Sequence, residues 1–424
     1  MNKQAIDWSI TCHMDYGDNG VVAIIHHKGG KNHVSSVTTT AATACDYNQR
    51  PVFLGVNDND EVLIMEPESK TVEATTSMAA DSRYYYAYRD NQSNRFWFTN
   101  DGDKDGNDTL NCGTDGGTVT VAAKNGNGCE VLQTLLIGRG HHVSSFCRPT
   151  ASNPQLPNRA FVSNLLDGTI SVVGNDENDP DNFLKVITTI NLFDADKEKE
   201  GAQAVPNNAF PHGMEFSPVT NKVYNLNNGY GSVAVINPLS NEIENTIPMK
   251  VSSNLLMSRC GNFLIGKGAD RKGNPDHVMG RLQVLDINKQ EVTNSFDIQD
   301  FYPSVYRFNP EGDRLYVTAG ATGKGSQAEN LRTDMVQVYD SSKLPELKLV
   351  KEIKLEQCNS GRRPIAFLEQ NGSAPLVFVP NPDQGSLAVI DGNTDEVIET
   401  IDVGKGNMKE FSFSFWHDKA IYGG

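Results

Sequence analysis

The chain has 424 residues, 38% of them hydrophobic, with 37 glycines and 19 prolines, the profile of a turn-rich globular protein. Its 53 acids against 37 bases give a formal charge of −16, which argues against a nucleic-acid backbone as the main partner, and no apolar run is long enough for a membrane-spanning helix. Seven cysteines cannot all pair within one chain, and with no CxxC or CxxCH spacing neither a zinc ribbon nor an attached c-type haem is expected.

Two strands are expected first, Ala5–Thr11 (AIDWSIT) and Val21–His26 (VVAIIH), separated by the acidic turn DYGDNG. A four-stranded unit follows: HVSSVTTTAATACDYNQ, PVFLGVNDND, EVLIMEPES and TVEATTS. The next is RYYYAYRDNQSN, RFWFTNDGD, GTVTVAAKNGNG and CEVLQTLLIG, and after it HHVSSFCRPT, RAFVSNLLDG, TISVVGNDEND and FLKVITTINLF. The clearest unit runs from Ala209 to Met249, where apolar residues alternate between Asn, Gly, Pro and Ser turns, as in half-buried strands joined in a meander. Three more follow, beginning at NLLMSRCGN, YPSVYRFNPEGD and RPIAFLEQNG. The chain ends on KEFSFSFW and KAIYGG.

Two strands at the start and two at the end together complete one more unit, so pairing the termini would close the ring and remove its exposed edges. The expected fold is therefore all-β, a single domain over 1–424, an eight-bladed β-propeller closed by N- and C-terminal strands. Seven blades is the alternative, with the Cys-interrupted NLLMSRCGN unit as the one misread. Long helices have no room among so many Gly and Asn residues.

The segments RLYVTAGATG, KVYNLNNGYGSVAVINPLSNEIENTIP and LVFVPNPDQGSLAVIDGNTDEVIETIDVGKG resemble the YVTN-type β-propeller repeat. The likeness covers about half the chain. In that family the repeat sets architecture and not activity, and members resemble surface-layer proteins, amine-dehydrogenase heavy chains and haem d1 propellers. The resemblance implies a periplasmic or extracellular home. MNKQAIDWSI has no secretory pattern, so a cytoplasmic location is the alternative.

In a propeller the first strand of each blade lines the central tunnel, and aligning the units on PHGMEFSP puts His33, Ser82, His142, His212, Ser253, Ser304, Ile365 and Lys409 at one station. Three of these are histidines in a chain holding nine, and His33 and His142 are both followed by VSS. Imidazoles converging on one tunnel would form a metal site with an open position, with copper favoured and zinc or iron the other choices; His141 or His27 would supply a fourth nitrogen. The competing account is that each ring bonds a neighbouring blade or tunnel water. In DGDKDGNDTLNC, the oxygens of Asp101, Asp103, Asp105 and Asn107 have calcium-loop spacing, although Cys112 stands where a bidentate Glu is needed. A solvated acidic turn is the plainer reading there. Cys112 and Cys129 flank a Gly/Asn-rich loop and either form a disulfide outside the cytosol or remain separate buried thiols.

The aromatic run Tyr84, Tyr85, Tyr86, Tyr88, Phe96, Trp97 and Phe98 reads chiefly as packing between blades. No nucleophile elbow, phosphate loop or HExxH helix is present. The expected function is a metal-binding propeller, a copper-dependent oxidoreductase acting on a small molecule. The alternatives are a non-catalytic interaction or surface-layer scaffold binding a partner protein, and a lactonase-like hydrolase.

Overall fold

The computed structural model describes residues 6–16, 19–39, 42–44, 53–57, 61–66, 69–77, 84–90, 95–100, 117–125, 128–140, 143–198, 206–250, 252–359, 362–408, 410–415 and 420–422. These form strands almost throughout. In chain order they are β1 (Trp8–Asp15), β2 (Gly20–Lys28), β3 (Lys31–Thr39), β4 (Ala42–Ala44), β5 (Phe53–Asn57), β6 (Glu61–Glu66), β7 (Thr71–Ser77), β8 (Tyr84–Asp90), β9 (Arg95–Asn100), β10 (Thr118–Asn125) and β11 (Gly128–Leu136). Next come β12 (Ser144–Cys147), β13 (Arg159–Asn164), β14 (Thr169–Gly174), β15 (Val186–Asn191), β16 (Pro211–Ser217), β17 (Lys222–Asn227), β18 (Ser232–Asn237), β19 (Glu242–Pro248), β20 (Asn254–Met257), β21 (Phe263–Asp270), β22 (Met279–Asp286) and β23 (Glu291–Gln299). The last are β24 (Pro303–Phe308), β25 (Arg314–Ala319), β26 (Met335–Asp340), β27 (Lys348–Lys354), β28 (Ala366–Gln370), β29 (Ser373–Asn381), β30 (Ser386–Asp391), β31 (Glu396–Asp402), β32 (Glu410–Phe415) and β33 (Ala420–Tyr422). One short helix, α1 (Ser326–Asn330), lies between β25 and β26, and among the described residues no helix is long and apolar enough to cross a membrane.

The strands pair into meander sheets of four, β4 to β7, β8 to β11, β12 to β15, β16 to β19, β20 to β23 and β24 to β27. Two further sheets use the C-terminal strands: β3-β2-β1-β32, and β31-β30-β29-β28-β33. The unit at NLLMSRCGN is thus a sheet like the others. Contacts divide the chain into two compact units, one made of 1–75, 270–280 and 298–424, the other of 76–269 and 281–297.

Within the second unit, one-residue alternation feeds two cores at once. Along β17 and β18, Val223, Ala234 and Ile236 pack with Phe161, Ile170 and Val172. Their neighbours Tyr224, Leu226, Val233 and Val235 pack on the opposite face with Leu255, Leu264 and Leu285. These strands are therefore buried on both faces, where the sequence pattern suggested half-burial; the fourth strand, β19, carries the exposed residues. Trp97 is fully buried and meets Phe146 edge-on with centroids 5.6 Å apart, so this part of the aromatic run does fill a core between sheets. In the first unit the same arrangement joins Tyr316, Val336 and Val338 to Phe367, Val377 and Val379.

A recurring turn explains the even strand spacing. Ser217, Asn237 and Asp391 open it, and the fifth residue, Asn221, Asn241 or Asp395, adopts φ of 57, 60 and 54° and returns its N–H to the opening carbonyl at 2.8 Å. Asn and Asp tolerate this left-handed backbone better than branched residues do.

The termini combine differently from the expected two plus two. Three N-terminal strands and one C-terminal strand form the shared sheet, β32 pairing with β1 from Ile10↔Phe415 to Asp15↔Glu410, while β33 adds to β28. The reason is the Gly29-Gly30 pair, at φ of 55 and 75°, which closes a two-residue hairpin between Lys28 and Lys31 and folds β3 back on β2. The stretch HVSSVTTTAATA is split accordingly, β3 ending the first sheet and β4 opening the next.

Candidate functional site

In an antiparallel meander the connections from second to third strand and from fourth strand to the next sheet emerge at the same end. In the first unit that end collects the β1–β2 turn, the segment 271–278, and the connections before β24, between β25 and β26, before β28, between β29 and β30 and before β32. Polar contacts tie these connections to one another. Gln327 donates to the carbonyls of Arg271 and Asn274 at 3.1 and 2.6 Å, Asn330 to that of Asp276 at 3.0 Å, and the Arg332 N–H to that of Asp300 at 2.8 Å. Further along, the Asn359 N–H donates to Asp383 at 2.7 Å, Gln384 to the Gln357 carbonyl at 3.2 Å, and Tyr16 to the Lys405 carbonyl at 2.9 Å. Backbones approach so closely that a Cβ on Gly406 would stand 1.9 Å from the Asp383 carbonyl oxygen.

Two side chains at this end carry chemistry. His277 places Nδ1 2.8 Å from Asp300 Oδ1, its side chain 36% exposed and the carboxylate 16%. The carboxylate fixes the ring and leaves Nε2 for an incoming molecule, the arrangement used to orient an imidazole for proton transfer. Nearby, the Arg271 guanidinium lies 5.8 Å from the centre of the Tyr302 ring. The second is Arg363, which has no exposed surface. Its Nη2 donates to the Glu356 carbonyl and its own carbonyl accepts from Thr318 Oγ1 at 2.9 Å, whereas Nε and Nη1 have no hydrogen-bond partner. Neither residue stands out by spacing or motif: His277 reads as a loop histidine and Arg363 as the charged residue before a proline.

The residues expected at the metal station fare unequally. His33 lies on β3, an edge strand, exposed and opposite His26, and belongs to the first unit. That corrects its expected place at the opening of a sheet; the Gly-Gly hairpin moves it. His212 belongs to the second unit and sits half-buried in a bulge after Pro211, and Ser304 has the same place after Pro303, so the alignment holds for those two sheets. His27 stacks on Trp8 with centroids 5.2 Å apart and bonds Asn32 at 2.7 Å, a packing role. His141, His142, Asp101, Asp103, Asp105 and Asn107 lie outside the described residues, as does Cys112. Among the described residues no three His, Cys, Asp or Glu side chains gather as metal donors. Cys12, Cys147, Cys260 and Cys358 form no disulfide, and burial pushes the Cys147 thiol up to about 12.

No family model matches the chain, and no curated protein matches it in sequence. Among solved structures it is similar to Kuenenia stuttgartiensis hydrazine synthase, with a TM-score of 0.52 and 13% identity over 79% of this chain and 91% of that one. It is also similar to the dihydro-heme d1 dehydrogenase NirN in complex with DHE, with a TM-score of 0.56 and 14% identity over 86% of this chain and 67% of that one. Both are propeller proteins. The fold is a β-propeller. At such identities the likeness carries the architecture and nothing about activity.

Proposed function

We propose that this β-propeller, counted as eight blades with one per sheet, binds a small molecule at the loop end of its first unit and performs acid–base chemistry on it there. The observation that carries this reading is the His277–Asp300 pair, an imidazole held by a carboxylate at 2.8 Å among cross-tied loops. His277 is the proton-transferring group; Asp300 positions it. Removing a general acid or base of this kind lowers a rate by about 10²- to 10⁴-fold.

The experiment is to incubate the purified protein with pooled small-molecule metabolites and follow depletion by mass spectrometry, alongside His277→Gln and Asp300→Asn. Turnover by the wild type that falls at least about 100-fold in His277→Gln is expected. Equal turnover in both proteins, or none in either, sinks the reading.

An oxidoreductase is the second reading, since one structural neighbour is by name a dehydrogenase. The paired imidazole would then take the proton that accompanies electron transfer. Copper, zinc or iron held by His33, His142 and His212 has less in its support, because His33 is exposed on an edge strand.

A further inference from the structure

Among the described residues two arginines are buried, and they differ in one respect. Arg95, 3% exposed, donates from Nε and Nη2 to Asn175 Oδ1 at 3.1 and 2.9 Å, pairs through Nη1 with Glu177, and has Asp90 Oδ2 at 3.9 Å. Its charge is answered by carboxylates and its N–H groups by oxygens. Arg363, at 0%, has the Glu356 carbonyl on Nη2 and nothing on Nε or Nη1. No carboxylate of the described residues pairs with it, and Val305, Leu355, Ile365 and Phe367 form the apolar cluster beside this connection. A guanidinium keeps its charge in a folded protein, and withdrawing it from water without an opposing charge is strongly unfavourable. A bridging water would meet the hydrogen-bonding need but not the charge.

The shape of the group says what would. A planar guanidinium presents two forks of parallel N–H groups, Nε with Nη2 and Nη1 with Nη2. Nη2 carries two hydrogens and gives one to Glu356; whichever it gives, the other fork keeps both of its donors. Two oxygens on one atom, as in a carboxylate or a phosphate, fit such a fork and supply the missing negative charge.

The geometry points to an oxyanion subsite at Arg363 that receives the carboxylate or phosphate group of a small ligand at the loop end of the first unit. This deepens the reading of that end as the ligand end and rests on it, but makes no use of the His277–Asp300 pair. The net acidity of the chain sharpens the case, since a free anion is drawn here only by a local, desolvated donor set.

The test is thermal unfolding and calorimetric titration at matched ionic strength, with inorganic phosphate in one arm and acetate and succinate in the other, on the full chain and on Arg363→Lys, Arg363→Gln and His277→Gln. A rise in Tm of about 3 °C at an anion concentration about 100-fold above Kd is expected for the wild type. Arg363→Lys, which keeps the charge but loses the fork, should bind at least about tenfold more weakly. Arg363→Gln should not respond, and His277→Gln should respond as the wild type does. A response to phosphate alone or to the carboxylates alone supports the subsite and names its ligand class. No response of the wild type in either arm overturns it, as does undiminished binding by Arg363→Lys, which serves should Arg363→Gln fail to fold. A silent anion assay with His277-dependent turnover would remove this subsite and leave the acid–base site standing.

Discussion

His13 lies on β1 between Val22 of β2 and Ser412 of β32 and is buried, so desolvation holds its ring neutral and lowers its pKa well below the usual 6.5. Above about pH 6.5 the folded and unfolded chains carry the same proton count at this residue and it contributes nothing. Below that, the unfolded chain takes up a proton that the folded one refuses, and stability falls by up to about 1.4 kcal/mol per pH unit. His13→Gln should therefore flatten the pH dependence of the urea midpoint between pH 6.5 and 5; parallel wild-type and variant curves would refute this. Residue type alone reveals none of it. Three histidines at one aligned station, two of them followed by VSS, are legible in the sequence, whereas His277, which meets a carboxylate, and Arg363, buried with Nε and Nη1 unbonded, acquire their character from residues brought near by folding.

The hairpin of β2 and β3 turns on two glycines with positive φ, and a Cβ at either would meet nothing within 4 Å. Any penalty for substitution is then conformational and not a clash. Gly30→Ala should cost about 1–2 kcal/mol, the ordinary price of a left-handed non-glycine residue, while Gly29→Asn should stay within about 0.5 kcal/mol because Asn-Gly suits a type I′ turn. Equal losses in denaturant midpoint would show that the turn is not of this kind. The Gly-Gly pair is visible in the sequence, yet alignment on PHGMEFSP sets His33 at the opening of a sheet, where the hairpin does not leave it. Strand existence was legible nearly everywhere from alternation and Asn/Gly turns; which sheet a strand joins was not, since β3 and β4 are contiguous in sequence and only pairing separates them.

At the scale of the molecule, the chain's two ends meet in one sheet. Phe411 and Phe413 are buried and β32 covers the edge of β1 from Ile10 to Asp15. A chain ending at Met408 would expose that edge, and an uncovered strand edge pairs with other molecules. Loss of a cooperative melt and elution as aggregates on size exclusion are expected. Removing only residues 420–424 should be mild, as β33 pairs through three residues with a sheet already four strands wide; a monomeric, normally melting Met408 truncation would contradict the role given to β32.

Short range suffices for the all-β class, the repeat and the turn chemistry, because period-two alternation and left-handed Asn, Asp and Gly residues are properties of a few consecutive positions. Three things were decided only in three dimensions: the double-sided burial of the middle strands, the three-plus-one sharing of a sheet by the termini, and the meeting of His277 with Asp300 together with the complete burial of Arg363. Each depends on pairing between segments far apart in the chain, and desolvation, which gives a side chain its reactivity, has no value until those segments have packed.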